Sequence, residues 1–223
     1  MTLKTLCDSQ LRHQIQSNLD RFEVITDRDP DHRRAAVAVL VVEEGMGADL
    51  PGVEQPSKWS TQAALMLTRR SEKLRNHPGQ WAFPGGRVDE GETLIETALR
   101  ELHEEVGIEL PQTEVLGVLD DFVTRSGFAM TPVVVWGGKQ PNPQPNPDEV
   151  ASIHRIPVKE FFRADAPWLD ETDTSDHPIL RMPVGDDYIA APTAALIYQF
   201  REVCLLGLST RVAHYEQPEF AWK

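Results

Sequence analysis

A run of eight apolar residues from Ala35 to Val42 stands out in the chain. A continuous apolar run of this kind, within residues 34–43 and flanked by charged side chains, predicts a strand buried on both faces. Further strand-like patterns follow at residues 63–68, 114–124, 128–136 and 150–158. The middle two of these segments flank Gly127 and predict a hairpin.

Apolar residues at helical spacing mark three further segments, at residues 10–22, 92–106 and 191–206. In the second segment, Leu94, Ala98 and Leu102 form one apolar stripe. Gly107 follows at a position suited to a left-handed helix cap. Strands and helices in this mixed order predict an α/β (α+β) fold, with a mixed central sheet and helices packed on both of its faces.

Two segments are predicted to be loops. Residues 137–147 contain four prolines, which cannot donate the hydrogen bonds of a sheet interior, so we expect an extended surface connector there. Residues 168–176 contain four aspartates or glutamates and predict an acidic loop.

The composition narrows the class of function. The chain has 223 residues, of which 40% are hydrophobic and 26% charged, as in ordinary folded proteins. This length fits one main domain with a small appendage. With the helical patterns above, we expect a helical extension at residues 1–30 and one main domain at residues 31–223, which ends in a helix. The formal net charge of −13 repels polyanions, so we expect no nucleic-acid partner.

The cysteines and the apolar runs indicate the cellular location to expect. Cys7 and Cys204 are far apart and have no spacing typical of metal ligands, which favours a reducing compartment and no zinc site. The apolar runs are shorter than the ~20 residues of a membrane span, and the first residues lack a signal-peptide core. We therefore expect a cytoplasmic protein with no membrane partner.

Candidate chemistry lies on the helix predicted at residues 92–106. Glu101, Glu104 and Glu105 have i, i+3 and i+4 spacing, so we expect their carboxylates on one face, opposite the apolar stripe. Such a cluster can be a solvated acidic face that Arg100 screens. It also suits a divalent cation, because magnesium takes carboxylates together with substrate phosphates, and such an ion activates water for attack on phosphorus.

The turn before this helix adds a second group of residues. Gly85 and Gly86 permit a tight turn and close backbone approach, and Arg87 is placed to contact a ligand. Glu92 is expected to open the helix, where a carboxylate suits the helix dipole. Helix rise would separate Glu92 from Arg100 by about 12 Å, so pairing between them would need long side chains or a bend.

These residues together carry a family resemblance. Gly86, Glu92, Arg100-Glu101-Leu102, Glu104-Glu105 and Gly107-Ile108 match the Nudix box, G-x5-E-x7-R-E-U-x-E-E-x-G-U with U aliphatic, at every fixed position. The resemblance implies an αβα sandwich with a catalytic loop and helix. It also implies hydrolysis of a nucleoside diphosphate linked to another group, so the partner is a small-molecule nucleotide.

The resemblance also implies roles for individual residues. The magnesium or manganese ligands would be Glu101, Glu104 and Glu105, together with Gly85. Arg100 would orient a glutamate, and Glu92 would be a supporting carboxylate. The general base varies within this family, and Glu149 is one candidate for it, with plain surface charge as the alternative. Whether the chain forms a homodimer stays open.

A cationic segment precedes the box. Between residues 65 and 87 there are five basic side chains and one acidic one, a local charge of +4. Such a patch suits a substrate with an additional phosphate, because arginine binds phosphate in a bidentate manner. The alternative is that these side chains are solvated or paired with nearby carboxylates. The residues predicted to bind substrate are Arg69, Arg70, Ser71, Arg75, Gly86 and Arg87.

This segment resembles the extra motif of the coenzyme A pyrophosphatase branch, L-L-T-x-R-[S/A]-x3-R-x3-G-x3-F-P-G-G. The matching residues are Thr68, Arg70, Ser71, Arg75, Gly79, Phe83, Pro84, Gly85 and Gly86. Met66 replaces the first leucine, and Trp81 is bulkier than the small aliphatic residue expected there. The resemblance implies cleavage of coenzyme A or its thioesters to adenosine 3′,5′-bisphosphate and a 4′-phosphopantetheine.

Two other functions remain open at this point. A Nudix hydrolase for ADP-ribose, a dinucleotide or another nucleoside diphosphate derivative would have the same box. A non-catalytic Nudix-fold binding module would be expected to lack one or more box glutamates, whereas all of them are present here.

Overall fold

The computed structural model describes residues 5–140, 142–172 and 175–218. The helices are α1 (Ser9–Leu19), α2 (Leu94–Val106) and α3 (Thr193–Gln199). The strands are β1 (Arg33–Gly45), β2 (Ser60–Arg70), β3 (Trp81–Ala82), β4 (Gly85–Arg87), β5 (Val115–Val118), β6 (Phe122–Val123), β7 (Phe128–Gly138), β8 (Val150–Pro157), β9 (Trp168–Thr172), β10 (Ser175–Val184) and β11 (Asp187–Ala190). Short 3-10 turns occur at Gln112–Glu114 and Val158–Phe162.

The apolar run at the start of the chain is the centre of a mixed sheet. β1 is antiparallel to β2 and parallel to β7, with Leu40 opposite Met66 on one side and Val135 on the other. β8 extends the sheet beyond β2, and β5 and β6 both pair antiparallel with β7. The predicted hairpin is therefore confirmed. The short strand β4 pairs with β1 and brings the glycine turn against the sheet.

Successive residues of β1 face opposite sides of the sheet, which explains why the whole run is apolar. Ala38 and Leu40 belong to the core beneath α2, with Leu102. Val39 belongs to the second core, which contains residues of α1 and of the C-terminal helix, such as Ile15. The chain is therefore an αβα sandwich, as predicted.

The prediction of an acidic loop at residues 168–176 was wrong for its described part. Residues 168–172 form β9, which pairs antiparallel with β10, and β11 completes a three-stranded sheet. Asp173 and Thr174 lie outside the described residues. Arg181 of β10 lies opposite Trp168 and forms an ion pair with Asp170. The negative charge of Asp170, which favoured a loop in the sequence analysis, is therefore neutralised between the two strands.

The other elements agree with prediction, with small changes at their ends. The predicted C-terminal helix is α3 followed by a π-helical segment, Phe200–Leu205. In the predicted loop at residues 137–147, β7 includes the first two residues, the described residues from 142 onward form no strand, and Pro141 lies outside the description. Within the described ranges, no helix is long and apolar enough to cross a membrane.

Candidate active site

The helix α2 is fixed at both ends. Thr93 is its N-cap: the Thr93 hydroxyl accepts the backbone N–H of Glu96 at 3.2 Å, and the Glu96 carboxylate accepts the backbone N–H of Thr93 at 2.8 Å. Gly107 has φ 69° and forms the left-handed C-terminal cap, as predicted. The capping pair also shows that the helix begins at Leu94, so the prediction that Glu92 opens the helix was wrong.

Glu92 lies in the turn before the helix, and this turn folds back so that the Glu92 carboxylate contacts Arg100. Arg100 Nε donates to Glu92 Oε1 at 2.8 Å, and Arg100 Nη2 donates to Glu92 Oε2 at 3.1 Å. Hydrogen bonds from Arg100, and then from Thr97, lower the pKa of Glu92 to about 2. The pairing that helix rise disfavoured is therefore formed through the loop before the helix.

Arg100 also orients two of the box glutamates. Its Nη1 donates to Glu101 Oε1 at 2.8 Å and to Glu104 Oε2 at 3.0 Å, and its Nη2 donates to the Arg87 carbonyl at 3.2 Å. One guanidinium thus joins three carboxylates and the turn that precedes the helix. The hydrogen bonds to Glu92 are the largest cause of a raised Arg100 pKa, so this side chain stays charged.

The three box glutamates do not share one solvent-facing surface, which corrects the expectation that they lie opposite the apolar stripe. Glu105 is buried, with 6% of its surface exposed, whereas the Glu104 side chain is 52% exposed and that of Glu101 13%. Glu105 follows Leu94 and Ala98 by three turns and two turns of helix, and is therefore on the same inward side.

Burial changes the acidity of the inner glutamates. Desolvation, and then the charge of Glu101, raise the pKa of Glu105 to about 8, although Arg70 and the backbone N–H of Gly85 act in the opposite direction. Desolvation is also the largest cause of the raised pKa of Glu101. Burial, together with the negative charge of neighbouring glutamates, therefore disfavours the ionised form of both carboxylates.

Two glycines permit the turn to approach these carboxylates. A Cβ on Gly86 would lie 2.1 Å from Glu101 Oε1, and a Cβ on Gly85 would lie 2.5 Å from the Ala36 carbonyl oxygen. The Gly85 backbone N–H donates to Glu105. A larger residue at Gly86 would therefore displace the Glu101 carboxylate, and one at Gly85 would collide with the backbone of β1.

The donor set fits a hard divalent cation. The side chains of Glu101, Glu104 and Glu105 offer only oxygen ligands, and the inner two carboxylates lack a sufficient counter-charge. Over the described part of the chain, no three acidic, histidine or cysteine side chains are already gathered as a metal-ligand group. Arg100 binds an oxygen of both Glu101 and Glu104 in this structure.

The cationic segment reaches this site through Arg70. Its charge acts on Glu105 from the end of β2, and it also contributes to the lowered pKa of His77, after desolvation. Arg70 Nε and His77 Nδ1 are buried and have no hydrogen-bond partner among the described residues. Of these two atoms, Arg70 Nε belongs to the side chain whose charge acts on Glu105.

The other residues predicted to bind substrate have different surroundings. Arg69 stacks on the Trp81 ring at 3.9 Å and forms an ion pair with Asp187. Arg75 is exposed in the loop between β2 and β3. Arg87 is also exposed, and its guanidinium lies 5.1 Å from the ring centre of Phe128. Arg70 is therefore the one of these arginines whose charge acts on a box glutamate.

Ser71 joins two loops. It is buried, its backbone N–H donates to the Glu149 carbonyl at 2.8 Å, and its hydroxyl donates to the Pro147 carbonyl at 3.3 Å. On the other side of the same loop, the Asn146 N–H donates to the Glu105 carbonyl at 2.9 Å. The proline-rich loop thus connects the cationic segment with the last turn of α2.

This connection brings Glu149 to the acidic helix. Its side chain is exposed, and its charge contributes to the raised pKa of both Glu101 and Glu105. The sequence suggested Glu149 only as one candidate. Asp187, which contacts the cationic segment, was not identified from the sequence at all, because it is 118 residues from Arg69 and no local pattern reports such a contact.

Residues 31–175 match the sequence model of the NUDIX domain, which covers more than half of the chain. The chain belongs to the Nudix family. A Pectobacterium atrosepticum protein named "Uncharacterized Nudix hydrolase NudL" is 39% identical over 173 residues, covering 76% of this chain and 83% of that protein. A Caenorhabditis elegans protein named "Nudix hydrolase 3" is 40% identical over 104 residues, covering 45% of this chain and 43% of its own.

Among solved structures, a MutT/nudix family protein from Enterococcus faecalis aligns over 86% of this chain and 68% of its own, with a TM-score of 0.49 and 18% identity. Family membership identifies the chain as a Nudix pyrophosphohydrolase, an enzyme that hydrolyses pyrophosphate bonds in nucleoside diphosphate derivatives. Nudix hydrolases generally use divalent metal ions. The acidic helix and its glycine turn are therefore the Nudix box of this enzyme.

Proposed function

We propose that the substrate of this Nudix hydrolase is coenzyme A or an acyl-coenzyme A. Water would cleave the pyrophosphate bond and release adenosine 3′,5′-bisphosphate and 4′-phosphopantetheine or its acyl form. The observation that carries the proposal is the position of Arg70, a cationic side chain beside Glu105 with a buried Nε that has no partner among the described residues.

An unpartnered buried donor costs free energy, so its presence beside a site indicates a ligand that supplies the acceptor. An arginine at this place suits a phosphate group, because phosphate oxygens accept short, charge-assisted hydrogen bonds. Coenzyme A has a 3′-phosphate in addition to its pyrophosphate. We therefore propose that Arg70 and the exposed Arg75 bind the substrate phosphates, with the 3′-phosphate as the group that they distinguish.

The box glutamates would hold the divalent cation, for which we propose magnesium or manganese. When bound, the cation supplies positive charge against the phosphate oxygens and the inner carboxylates. The chain itself supplies orientation. Arg100 holds Glu92, Glu101 and Glu104 at 2.8 to 3.1 Å, and the Gly85 N–H holds Glu105.

A proton acceptor for the attacking water is also required. We propose Glu149 for this role, because its carboxylate acts on both inner glutamates and its backbone carbonyl accepts the Ser71 N–H at 2.8 Å. A cytoplasmic location is part of the same proposal, because coenzyme A is an intracellular cofactor.

The test compares two substrates that differ only in the 3′-phosphate. Replacing Arg70 or Arg75 by alanine is expected to lower kcat/KM for coenzyme A about ten- to a hundredfold more than for 3′-dephospho-coenzyme A. The loss should appear mainly in KM, because the contact is equally strong in the ground and transition states. Lys73→Ala is the matched control, because it removes a positive charge of the same segment that pairs with Asp148 at 3.1 Å.

Two outcomes contradict this proposal. Equal losses on both substrates would show that these arginines serve the pyrophosphate or the fold instead of the 3′-phosphate. If the unchanged enzyme cleaves ADP-ribose or another nucleoside diphosphate derivative but leaves coenzyme A intact, the substrate assignment is wrong and the reaction class stands.

A further inference from the structure

Arg69, one position before Arg70, is held by residues outside the acidic helix. Its guanidinium stacks on the Trp81 ring at 3.9 Å, its Nη1 donates to the Gly79 carbonyl at 3.0 Å, and its Nη2 pairs with Asp187. Arg69 is thus held against Gly79 and Trp81, which lie at the other end of the loop that begins with Arg70. The side chain is 30% exposed, so water solvates only part of it.

Trp81 receives contacts from the C-terminal part of the chain as well. Its indole N–H donates to the Asp187 carboxylate at 3.3 Å, and its carbonyl oxygen accepts the Thr193 hydroxyl at 3.0 Å. Its ring meets His154 edge-on, with 4.9 Å between ring centres. The Trp81 side chain therefore contacts strands β8 and β11 as well as Arg69, and its backbone is tied to the start of α3.

The loop at residues 70–80 is thus closed at its base. Arg69 stands at one end of the loop and Trp81 at the other, and one carboxylate from β11 binds both side chains. Backbone hydrogen bonds follow the same closure, since Arg70 N–H donates to the Gln80 carbonyl at 3.0 Å and Gly79 N–H donates to the Arg70 carbonyl at 3.1 Å.

Asp187 and Thr193 lie outside residues 31–175, the part of the chain that matches the NUDIX domain. In the coenzyme A pyrophosphatase motif, Arg69 falls on a position without a fixed residue, and Trp81 departs from the small aliphatic residue expected at its position. The closure is therefore built from residues that the shared motifs do not specify.

We propose that Arg69, Trp81 and Asp187 form a latch that fixes the width of the loop at residues 70–80 and so positions Arg70 and Arg75. Arg69 is in this view a positioning residue and does not contact substrate. The effect on substrate selection rests on the function proposed above, whereas the closure of the loop does not.

A double-mutant cycle tests the latch. Arg69→Ala and Asp187→Ala should each raise KM for coenzyme A about fivefold with little change in kcat, the scale of a partly exposed ion pair. The loss in the double variant should be smaller than the product of the two single losses, because both changes remove the Arg69–Asp187 ion pair. Hydrogen exchange at the Gly79 and Arg70 amides should accelerate by a similar factor in all three variants.

Asp170→Ala is the matched control, because it removes an aspartate–arginine pair from the same three-stranded sheet without touching the loop. It should leave KM and amide exchange unchanged. A large loss in Arg69→Ala with none in Asp187→Ala, or losses that multiply in the double variant, would overturn the latch and make Arg69 a substrate contact. If coenzyme A is not cleaved, the exchange measurements still test the latch, and unchanged exchange would refute it.

Discussion

Replacing Glu105 by glutamine should make the metal-free protein more stable, and by an amount that depends on pH. Burial raises the pKa of this carboxyl from 4.5 to about 8 in the folded protein. The unfolded chain releases the proton near the ordinary value. Between these two pH values the folded state therefore binds more protons than the unfolded state, so the contribution of Glu105 to stability falls as pH rises.

The size of the effect follows from the pKa difference. Each pH unit within the window costs about 1.4 kcal/mol, so the wild-type protein loses about 3 kcal/mol at pH 7 through Glu105. Glutamine has nearly the same shape, still accepts the Gly85 N–H and has no charge to desolvate. For a domain of this size, 3 kcal/mol corresponds to about 6 to 12 °C in Tm.

The assay is urea unfolding of both proteins in a chelator-containing buffer from pH 5 to pH 8. The gain in the free energy of unfolding in Glu105→Gln should be small at pH 5 and should grow toward pH 8. Added magnesium should stabilise the wild-type protein and so reduce the difference in free energy of unfolding between the two proteins. Glu104→Gln is the matched control, since it removes one charge from the same helix at a half-exposed side chain. If the difference in free energy of unfolding does not change with pH, the reasoning is refuted, because Glu105 would then be ionised in the folded protein from pH 5 to pH 8.

Other consequences of the site can be tested by kinetics. Glu104→Gln and Glu105→Gln should each lower turnover at saturating magnesium by about 100-fold or more while the fold is kept, and near-normal rates in both would place the metal site elsewhere. Activity should disappear with EDTA and rise toward alkaline pH, because the attacking water must lose a proton, so chelator-resistant hydrolysis would contradict the account. Gly86→Ala should reduce kcat about tenfold or more with an unchanged circular dichroism spectrum, because the added Cβ would lie 2.1 Å from Glu101 Oε1. Normal kcat in Gly86→Ala would contradict this expectation, because displacement of Glu101 would then not affect the reaction.

The sequence was informative wherever a structure depends on local periodicity. The run within residues 34–43 predicted β1, and the stripe of Leu94, Ala98 and Leu102 predicted α2, because burial imposes these patterns directly. The spacing of the box residues indicated the reaction class. These features depend on neighbours within a few turns or within one strand.

Contacts between distant segments were not predictable in the same way. Glu92 reaches Arg100 only because the loop before α2 turns back. Glu105 is buried on the inward side of α2, where Gly85 of β4 is one of the groups that act on its carboxylate. The acidic segment at residues 168–172 is a strand because β10 supplies its hydrogen-bond partners and Arg181 neutralises Asp170. Each of these depends on the tertiary fold more than on local propensity.

The central claim is tested most directly by the products that the unchanged enzyme makes from coenzyme A. The enzyme is incubated with coenzyme A and magnesium in ¹⁸O-labelled water, and the products are identified by mass spectrometry. We predict adenosine 3′,5′-bisphosphate and 4′-phosphopantetheine, with one ¹⁸O atom in the phosphate of one product. Coenzyme A that stays intact, or that loses only its 3′-phosphate, under conditions in which another nucleoside diphosphate derivative is cleaved would contradict the claim.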